Sequence, residues 1–177
     1  MHPTRRHRTP TAARSAPMYS TRNDLPARSR AQLEKLLNAR LADALDLESA
    51  SKQAHWNVKG PHFIALHELF DQLHGKVEQH VDTMAERIAA LGGTARGTLQ
   101  AAARASSLTP YPEELSDGIE HLRALSERVA DFGNKVRAAI DRAERLGDAD
   151  TADLFTAVSR DTDKYLWFLE AHLQRKR

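Results

Sequence analysis

The sequence predicts an all-α protein, a four-helix bundle with one long crossover between its second and third long helices. Four long segments carry apolar residues at the three- and four-residue spacing of amphipathic helices. Short links separate the first segment from the second and the third from the fourth. The middle link, residues 94–112, is long and contains two prolines. Two helix pairs joined by one long connection are typical of a crossover bundle.

Local signals predict where each helix begins and ends. Ser29 and Gln32 resemble a capping box at the start of the first helix. Pro61 ends that helix region, because the residue before a proline is disfavoured in the α conformation. Gly92 and Gly93 end the second helix. The predicted helices cover about residues 29–56, 62–91, 98–105, 113–146 and 151–173. The helix over residues 98–105 is the short one, within the crossover.

Composition places the chain among ordinary globular proteins. Its 177 residues are 41% apolar and 28% charged, which is typical of a single domain. No apolar run approaches the roughly 20 residues needed to span a bilayer. Cysteine is absent, which excludes disulfides, thiolate metal sites and cysteine nucleophiles and is compatible with a reducing cytosol. We therefore expect a cytoplasmic protein that does not enter a membrane.

The charge is distributed unevenly along the chain. Residues 1–22 hold five arginines, three of the seven prolines and no acidic residue. Residues 175–177 add three cations, so a chain of net charge +2 has a body of net charge −6. This predicts a disordered basic tail over residues 1–22 and a folded domain over residues 23–177. A solubilising end, or a targeting peptide removed from the mature protein, is the alternative. The tail arginines are Arg5, Arg6, Arg8, Arg14 and Arg22.

Two pairs of metal-ligating residue types lie on the second predicted helix. His67 and Asp71 are four residues apart, as are Asp82 and Glu86, so each pair lies on one face about 6 Å apart along the axis. The two pairs share roughly one face but stand about 16 Å apart, too far for one ion. Nitrogen and carboxylate ligands without sulfur suit Fe, Mn or Zn. The alternative is a set of solvated charges on an amphipathic helix.

These four residues are placed symmetrically about residues 76–77. With a twofold axis at that point and a second copy packed antiparallel, His67 would face the partner's Glu86. Asp71 would in the same way face the partner's Asp82. The spacing therefore predicts a metal site between two subunits, formed twice in each dimer.

Motifs spread over residues 19–172 carry a family resemblance. They are Y-S-T-R-N-D-L at 19–25, K-Q-A-H-W-N-V-K-G at 52–60, F-I-A-L-H-E-L-F-D at 63–71, Q-H-V-D-T-M-A-E-R at 79–87, L-G-G at 91–93 and D-T-A-D-L-F-T-A-V-S-R-D-T-D-K-Y-L-W-F-L-E at 150–170. With these motifs the chain resembles the Dps family, the DNA-binding proteins from starved cells, which are mini-ferritins. It resembles in particular the members with a basic N-terminal tail.

The resemblance implies a ferritin-like bundle with a ferroxidase site between subunits. The family's ligands match His55, His67 and Asp71 of one subunit and Asp82 and Glu86 of its twofold partner. It implies oxidation of Fe(II), preferentially by hydrogen peroxide, with two iron ions at each site. It also implies storage of Fe(III) mineral in a shell of twelve subunits built from twofold dimers. The Glu-x-x-His motif of ordinary ferritin-like di-iron bundles is absent, in agreement with a site between subunits.

Aromatic residues near the metal ligands have two interpretations. Trp56 follows His55 directly. It either packs in the core or, as the family implies, is an oxidisable neighbour of the iron site. Trp167 and Phe168 are predicted to lie in the core.

Three acidic residues cluster at the link into the fourth long helix, namely Asp148, Asp150 and Asp153. Helix capping and stabilisation of the helix dipole would explain Asp150 and Asp153. In the family, acids near this position line threefold pores that admit iron. A threefold ring would multiply each carboxylate and concentrate cations.

The resemblance also implies DNA as a partner, bound without sequence specificity in the nucleoid. Twelve tails of five arginines would carry about sixty positive charges, enough for multivalent contact with phosphates. The tail contains no groove-reading motif. Two functions remain open: an iron-oxidising store that also coats DNA, and a shell-forming DNA-compaction protein whose residual metal site holds zinc.

Overall fold

The computed structural model describes residues 18–174, where the regular structure is helical apart from one isolated β-bridge between Lys59 and Asp117. The helices are α1 (Ala27–Asn57), α2 (Phe63–Ala90), α3 (Leu99–Ala105), α4 (Gly118–Arg145) and α5 (Ala149–Leu173). The main packing is of α1 on α2 and of α4 on α5, while α3 packs on α1. The prediction of an all-α four-helix bundle with a short helix in its crossover is confirmed.

The core lies where the apolar faces of the four long helices meet. Its largest fully buried side chains include Phe70 of α2, Phe132 of α4 and Phe155 of α5, together with leucines along α1. Burying a side chain of this kind stabilises the fold by about 1.5–3 kcal/mol. The core therefore fixes which face of α2 remains outside the bundle. No helix within residues 18–174 is both long and apolar enough to cross a membrane.

The start of α1 differs from the prediction. Pro26 occupies the N-cap position with φ −54°, and no side chain caps the helix. Ser29 lies inside the first turn, and the Gln32 side chain accepts a hydrogen bond from Arg142 Nη2 at 2.7 Å. The capping box predicted from Ser29 and Gln32 was therefore wrong. A proline in front of the helix fixes the backbone φ there, and its ring has no oxygen that could accept a hydrogen bond from the first helical N–H groups.

The start of α4 also differs, since the apolar spacing predicted a helix from about Glu113. Asp117 sets the observed start at Gly118, because its carboxylate accepts hydrogen bonds from the backbone N–H groups of Ile119 at 2.9 Å and Glu120 at 3.2 Å. The backbone just before this cap accepts a 2.8 Å hydrogen bond from the turn between α1 and α2. Those residues therefore follow the turn instead of extending the helix.

Residues 18–25 run beside the turn that ends α2. The backbone N–H of Tyr19 donates to the carbonyl oxygen of Gly92 at 2.7 Å. Arg30 on α1 donates to carbonyl oxygens on both sides of this contact, each at 3.1 Å. Tyr19, which belongs to the predicted tail of residues 1–22, is thus in contact with the end of α2, and the boundary between tail and domain stays a prediction. Residues 1–17, the remainder of the predicted tail, lie outside the described part of the structure.

A matched pair of glycine substitutions tests this contact. Gly92 and Gly147 both have positive φ, +84° and +80°. A Cβ at Gly92 would lie 2.6 Å from the Tyr19 carbonyl oxygen, whereas one at Gly147 would have nothing within 4 Å. We expect Gly147→Ala to lower the free energy of unfolding by about 1–2 kcal/mol through backbone strain. Gly92→Ala should cost about 1–3 kcal/mol more through the added overlap.

Urea unfolding of the two variants beside the parent measures this difference. Equal losses in both variants would show that Tyr19 is not held against Gly92 in solution.

Candidate metal centre

Two histidines meet where α1 and α2 join. His55 lies in the last turn of α1 and His67 near the start of α2, with their rings stacked at a centroid distance of 3.7 Å and an interplanar angle of 21°. Nδ1 of each ring lies 2.8 Å from the backbone carbonyl oxygen of the other residue. A carbonyl oxygen only accepts, so each Nδ1 carries a proton, and in the neutral form of either ring Nε2 has the free lone pair. Imidazoles oriented in this way are suited to bind metal through Nε2.

A carboxylate completes this half of the site. Asp71 lies one turn beyond His67 on α2, and its Oδ1 is 3.8 Å from His55 Nδ1. Lys52 of α1 donates a hydrogen bond to the same oxygen. This hydrogen bond, assisted by the positive charge of Lys52, lowers the pKa of Asp71 below its ordinary value. Lys52 was missed in the sequence, where the available signal was its position three residues before His55 on the same helix face.

The two other predicted ligands lie elsewhere on the same chain. Asp82 and Glu86 are exposed on α2 beyond its middle, and the eleven residues from Asp71 to Asp82 span about 16 Å of helix. Within residues 18–174, no group of three or more His, Asp or Glu side chains is placed to hold one metal ion. His55, His67 and Asp71 lie near one another in one chain, but even these three are not arranged to hold one ion, and Asp82 and Glu86 lie apart from them. Their meeting across a twofold axis stays a prediction.

Trp56 and Trp167 are more exposed than side chains packed in the core would be. Trp56 is 67% exposed and Trp167 is 61% exposed in the single chain. Core packing was therefore the wrong interpretation for both. The reason is their position on outward faces at helix ends, Trp56 at the end of α1 and Trp167 in the last two turns of α5. Phe168 is half-buried and packs against the core.

The acidic link between α4 and α5 contains one buried and two exposed carboxylates. Asp148 is 2% exposed and accepts hydrogen bonds from Arg87 at 2.7 Å and from the backbone N–H of Thr151 at 3.1 Å. Asp148 is thus the helix cap, which corrects the assignment of capping to Asp150 and Asp153. Its burial also leaves it unsuited to line a pore. Asp150 and Asp153 are exposed, with Asp150 3.7 Å from Arg87.

The predicted DNA-binding arginines lie mostly beyond the described residues. Arg22 is exposed, three residues after the Tyr19 contact. Arg5, Arg6, Arg8 and Arg14 lie outside residues 18–174. The tail hypothesis therefore rests on charge and on the position of the first described residues.

Comparison with known proteins identifies the class of fold. The Ferritin-like domain family matches residues 34–177. DpsA14 from Streptomyces coelicolor superposes with a TM-score of 0.86 at 37% identity, covering 92% of this chain and 96% of that chain. Mycobacterium smegmatis Dps in its tetragonal form gives 0.83 at 31% identity, covering 93% and 96%. The bundle is therefore a ferritin-like domain.

Comparison of the sequence with known proteins identifies the family within the ferritin-like class. The chain is 49% identical over 158 residues to the DNA protection during starvation protein of Agrobacterium fabrum, covering 89% of this chain and 98% of the relative. The chain belongs to the Dps family of DNA protection during starvation proteins. The family resemblance predicted from the motifs is confirmed.

The Lys52–Asp71 pair makes a testable prediction about protonation. In Lys52→Met the apolar stem remains but the hydrogen bond is lost, so we expect the pKa of Asp71 to rise towards its ordinary value. The carboxylate would then be lost as a charged ligand at a less acidic pH than in the parent. A carbon-13 NMR titration of the aspartate carboxyl groups measures the shift.

Lys59→Met is the matched control, because Lys59 is exposed in the turn between α1 and α2. An Asp71 titration that is identical in all three proteins would contradict the assigned role of Lys52.

Proposed function

We propose that this protein oxidises Fe(II) with hydrogen peroxide, stores the Fe(III) as mineral in a shell of twelve copies, and binds DNA without reading its sequence. The observation that carries the oxidation is the His55–His67 pair, whose Nδ1 atoms are engaged by backbone carbonyl oxygens while the Asp71 carboxylate lies 3.8 Å from His55 Nδ1. These ligand types suit iron. Family membership supports the proposal, as does the Agrobacterium fabrum relative, whose name states DNA protection during starvation.

A second copy supplies the missing ligands in this proposal. His55, His67 and Asp71 form a half-site with one carboxylate, while Asp82 and Glu86 expose two carboxylates without a histidine. Antiparallel packing about residues 76–77 joins each half-site to the complementary half of the other chain. A self-complementary twofold contact satisfies both halves at once.

The two halves together have the composition that iron oxidation requires. Carboxylates stabilise Fe(III) more than Fe(II), so binding between them favours loss of an electron. Two adjacent Fe(II) ions give one electron each to one hydrogen peroxide molecule. Its O–O bond breaks, and two protons complete two molecules of water. Delivering both electrons together avoids release of a hydroxyl radical.

Lys52 prepares the half-site before iron arrives. Its ammonium group holds Asp71 ionised and occupies the carboxylate oxygen nearest His55. An arriving Fe(II) ion displaces the ammonium group from that oxygen, because the two positive charges repel each other at such a short distance. Lys52 then swings away to solvent on its flexible stem. In this proposal Trp56, which follows His55 in the sequence and is exposed, supplies an electron when only one iron ion is bound.

Iron reaches the inside of the shell past the exposed acids Asp150 and Asp153 in this proposal. Repeated around a threefold axis, these carboxylates would raise the local concentration of cations. DNA is held by the arginines of residues 1–22, because the body carries net charge −6 and repels phosphate. We expect the protein in the cytoplasm, associated with the nucleoid.

Mixed dimers test the site between subunits. One chain carries His67→Ala and Asp71→Ala, and the other carries Asp82→Ala and Glu86→Ala. Each hybrid dimer would rebuild one of its two sites, so random pairing of equal amounts should restore about a quarter of the parent's sites. The initial rate of peroxide-dependent Fe(II) oxidation measures them.

The two variants assayed separately are the controls, and both should be inactive. Hybrids no more active than the separate variants, with hybrid formation checked by native mass spectrometry, would place all ligands of each site in one chain and defeat the geometry.

Truncation tests the DNA contact. Deleting residues 2–17 removes Arg5, Arg6, Arg8 and Arg14 and leaves every proposed iron ligand. We expect DNA affinity to fall at least about tenfold and the dependence of log K on log salt to flatten by about 0.9 per lost phosphate contact. Gel-shift titrations at several salt concentrations measure both, beside the peroxide-dependent iron assay, which should be unchanged.

A variant with these four arginines changed to lysine keeps the charge and should keep most of the affinity. Equal affinity before and after truncation would move the DNA contact to residues 175–177 or to the body. Strong DNA binding with bound zinc and no iron oxidation in the parent would favour the compaction protein.

A further inference from the structure

A tyrosine and a histidine are hydrogen-bonded where the crossover packs on α4. Tyr111 lies in the crossover between α3 and α4, and its hydroxyl oxygen is 2.6 Å from Nδ1 of His121 on α4. The two rings are stacked, with a centroid distance of 6.1 Å and an interplanar angle of 13°. His121 is 1% exposed and Tyr111 is partly buried. A phenol that is hydrogen-bonded to a base, away from bulk water, is arranged to lose an electron and a proton together.

Burial keeps both groups uncharged before any oxidation. It raises the pKa of Tyr111 above its ordinary value, and it lowers the pKa of His121. A neutral imidazole has one acceptor nitrogen, and we assign it to Nδ1, because the phenol can then donate its proton in the 2.6 Å hydrogen bond. The nearby carboxylates of Asp117 and Glu120 act against the burial and favour a charged ring. His121 can therefore hold a second proton once Tyr111 releases one.

Arg128 on α4 determines how strong an oxidant Tyr111 requires. Its Cζ lies 5.9 Å from the centroid of the Tyr111 ring, and its guanidinium group donates a 2.7 Å hydrogen bond to Asp46. A cation attracted to the face of a ring makes removal of an electron from that ring harder. Transfer of the phenolic proton to His121 leaves the oxidised ring neutral, so no second positive charge forms on the ring beside Arg128. Tyr111 is thus suited to strong one-electron oxidants and resists weak ones.

Phe70 connects this pair to the candidate metal centre. It is fully buried, and its ring centroid lies 6.1 Å from that of His121. The next residue on α2 is Asp71, the carboxylate of the candidate centre. The route from Asp71 to Tyr111 therefore consists of one covalent step along α2 and two ring-to-ring steps of 6.1 Å each. Electrons tunnel through packed side chains over such steps, whereas a proton does not, so the phenolic proton needs the base beside it.

We propose that Tyr111 is a redox-active residue that supplies one electron when hydrogen peroxide meets a single Fe(II) ion, while His121 takes the phenolic proton. Its part in the peroxide reaction rests on the proposed function. One Fe(II) ion gives one electron to hydrogen peroxide, which leaves Fe(III), hydroxide and a hydroxyl radical. An electron from Tyr111 reduces that radical to hydroxide and leaves a neutral tyrosyl radical and a protonated His121. A later Fe(II) ion returns an electron to Tyr111, and His121 returns the proton.

Tyr111 differs from Trp56, the other electron donor in the proposed function, in its surroundings. Trp56 is 67% exposed, so a radical formed there is open to solvent and to other molecules. A radical at Tyr111 is shielded by the crossover and by α4, and its proton stays within reach on His121. The pair is therefore suited to hold the missing electron equivalent until the next Fe(II) ion arrives.

Oxidation without iron tests the tyrosine and histidine directly. The chain has three tyrosines, so Tyr19→Phe with Tyr165→Phe leaves Tyr111 as the only one. Tris(bipyridine)ruthenium(III), generated by light with a cobalt(III) ammine as electron acceptor, supplies the oxidant. We expect a tyrosyl radical in frozen-solution electron paramagnetic resonance (EPR) spectra, and we expect its formation to be slower in D2O because a proton moves with the electron.

His121→Asn in this single-tyrosine protein removes the base and keeps the contact. The asparagine side-chain oxygen can accept the phenol's hydrogen bond but is a far weaker base than imidazole. We expect loss of most of the tyrosyl signal and of the D2O effect. His80→Asn is the matched control, because His80 is also partly buried but contacts Asp161, and it should keep both. An equal yield in all three proteins, with no effect of D2O, would overturn the transfer of the proton to His121.

Freeze-quenched samples test the role in the peroxide reaction. The full-length protein, with ring-deuterated tyrosine, receives excess hydrogen peroxide without oxygen and Fe(II) at half the amount that fills the proposed sites. We expect an EPR signal that is narrower than with unlabelled tyrosine, as only a tyrosyl radical would give. Tyr111→Phe should lose this signal and release more hydroxyl radical to a spin trap. Tyr165→Phe, the matched control at another buried tyrosine, should behave as the parent does.

The two experiments separate failure of this inference from failure of the proposed function. A parent that oxidises iron without a tyrosyl signal, or with a signal that Tyr111→Phe leaves unchanged, would overturn the part of Tyr111 in the peroxide reaction. Absence of iron oxidation in every protein would overturn the proposed function. The oxidation without iron would then still decide whether Tyr111 and His121 form a redox pair.

Discussion

A reciprocal pair of hydrogen bonds joins the end of α1 to the start of α2, with His55 and His67 each donating an Nδ1 proton to the other's carbonyl oxygen. The contact closes the hairpin between the two helices. It also sets the tautomer of both rings, so that both Nε2 atoms keep their lone pairs. A bond that serves the fold therefore also orients the two candidate metal ligands, and Asp71, one turn after His67, adds a carboxylate nearby. Lys52 keeps that carboxylate ionised.

The rigidity of α2 is the second constraint. An α-helix rises about 1.5 Å per residue and does not fold back on itself. Asp82 and Glu86 consequently cannot approach His67 on the same chain, although all three lie on roughly one face. The bundle core holds the opposite face of α2, with Phe70 fully buried. A helix that is held by its apolar face and exposes two unlike half-sites on the other is suited to pair with its own copy.

The two ends of the bundle differ in how polar side chains secure them. At the end near the α1–α2 turn, Asp117 caps α4. At the other end, Arg87 joins α2 to the buried Asp148, which caps α5. Asp150 is left exposed beside that pair. This end of the bundle thus combines a structural ion pair with an exposed carboxylate.

The sequence by itself determined the number of helices, the break between the first two, the ligand types and their symmetric spacing, because helical periodicity and the restrictions of proline and glycine act over a few residues. Tertiary structure alone decided the Lys52–Asp71 pair, the burial of Asp148 and the exposure of Trp56. It also decided that the backbone of Tyr19 is hydrogen-bonded to the turn that ends α2. These features depend on which helix faces meet and on contacts between residues far apart in the sequence. Arg87, for example, donates a hydrogen bond to Asp148, 61 residues later in the chain. Spacing along one segment carries no record of such contacts.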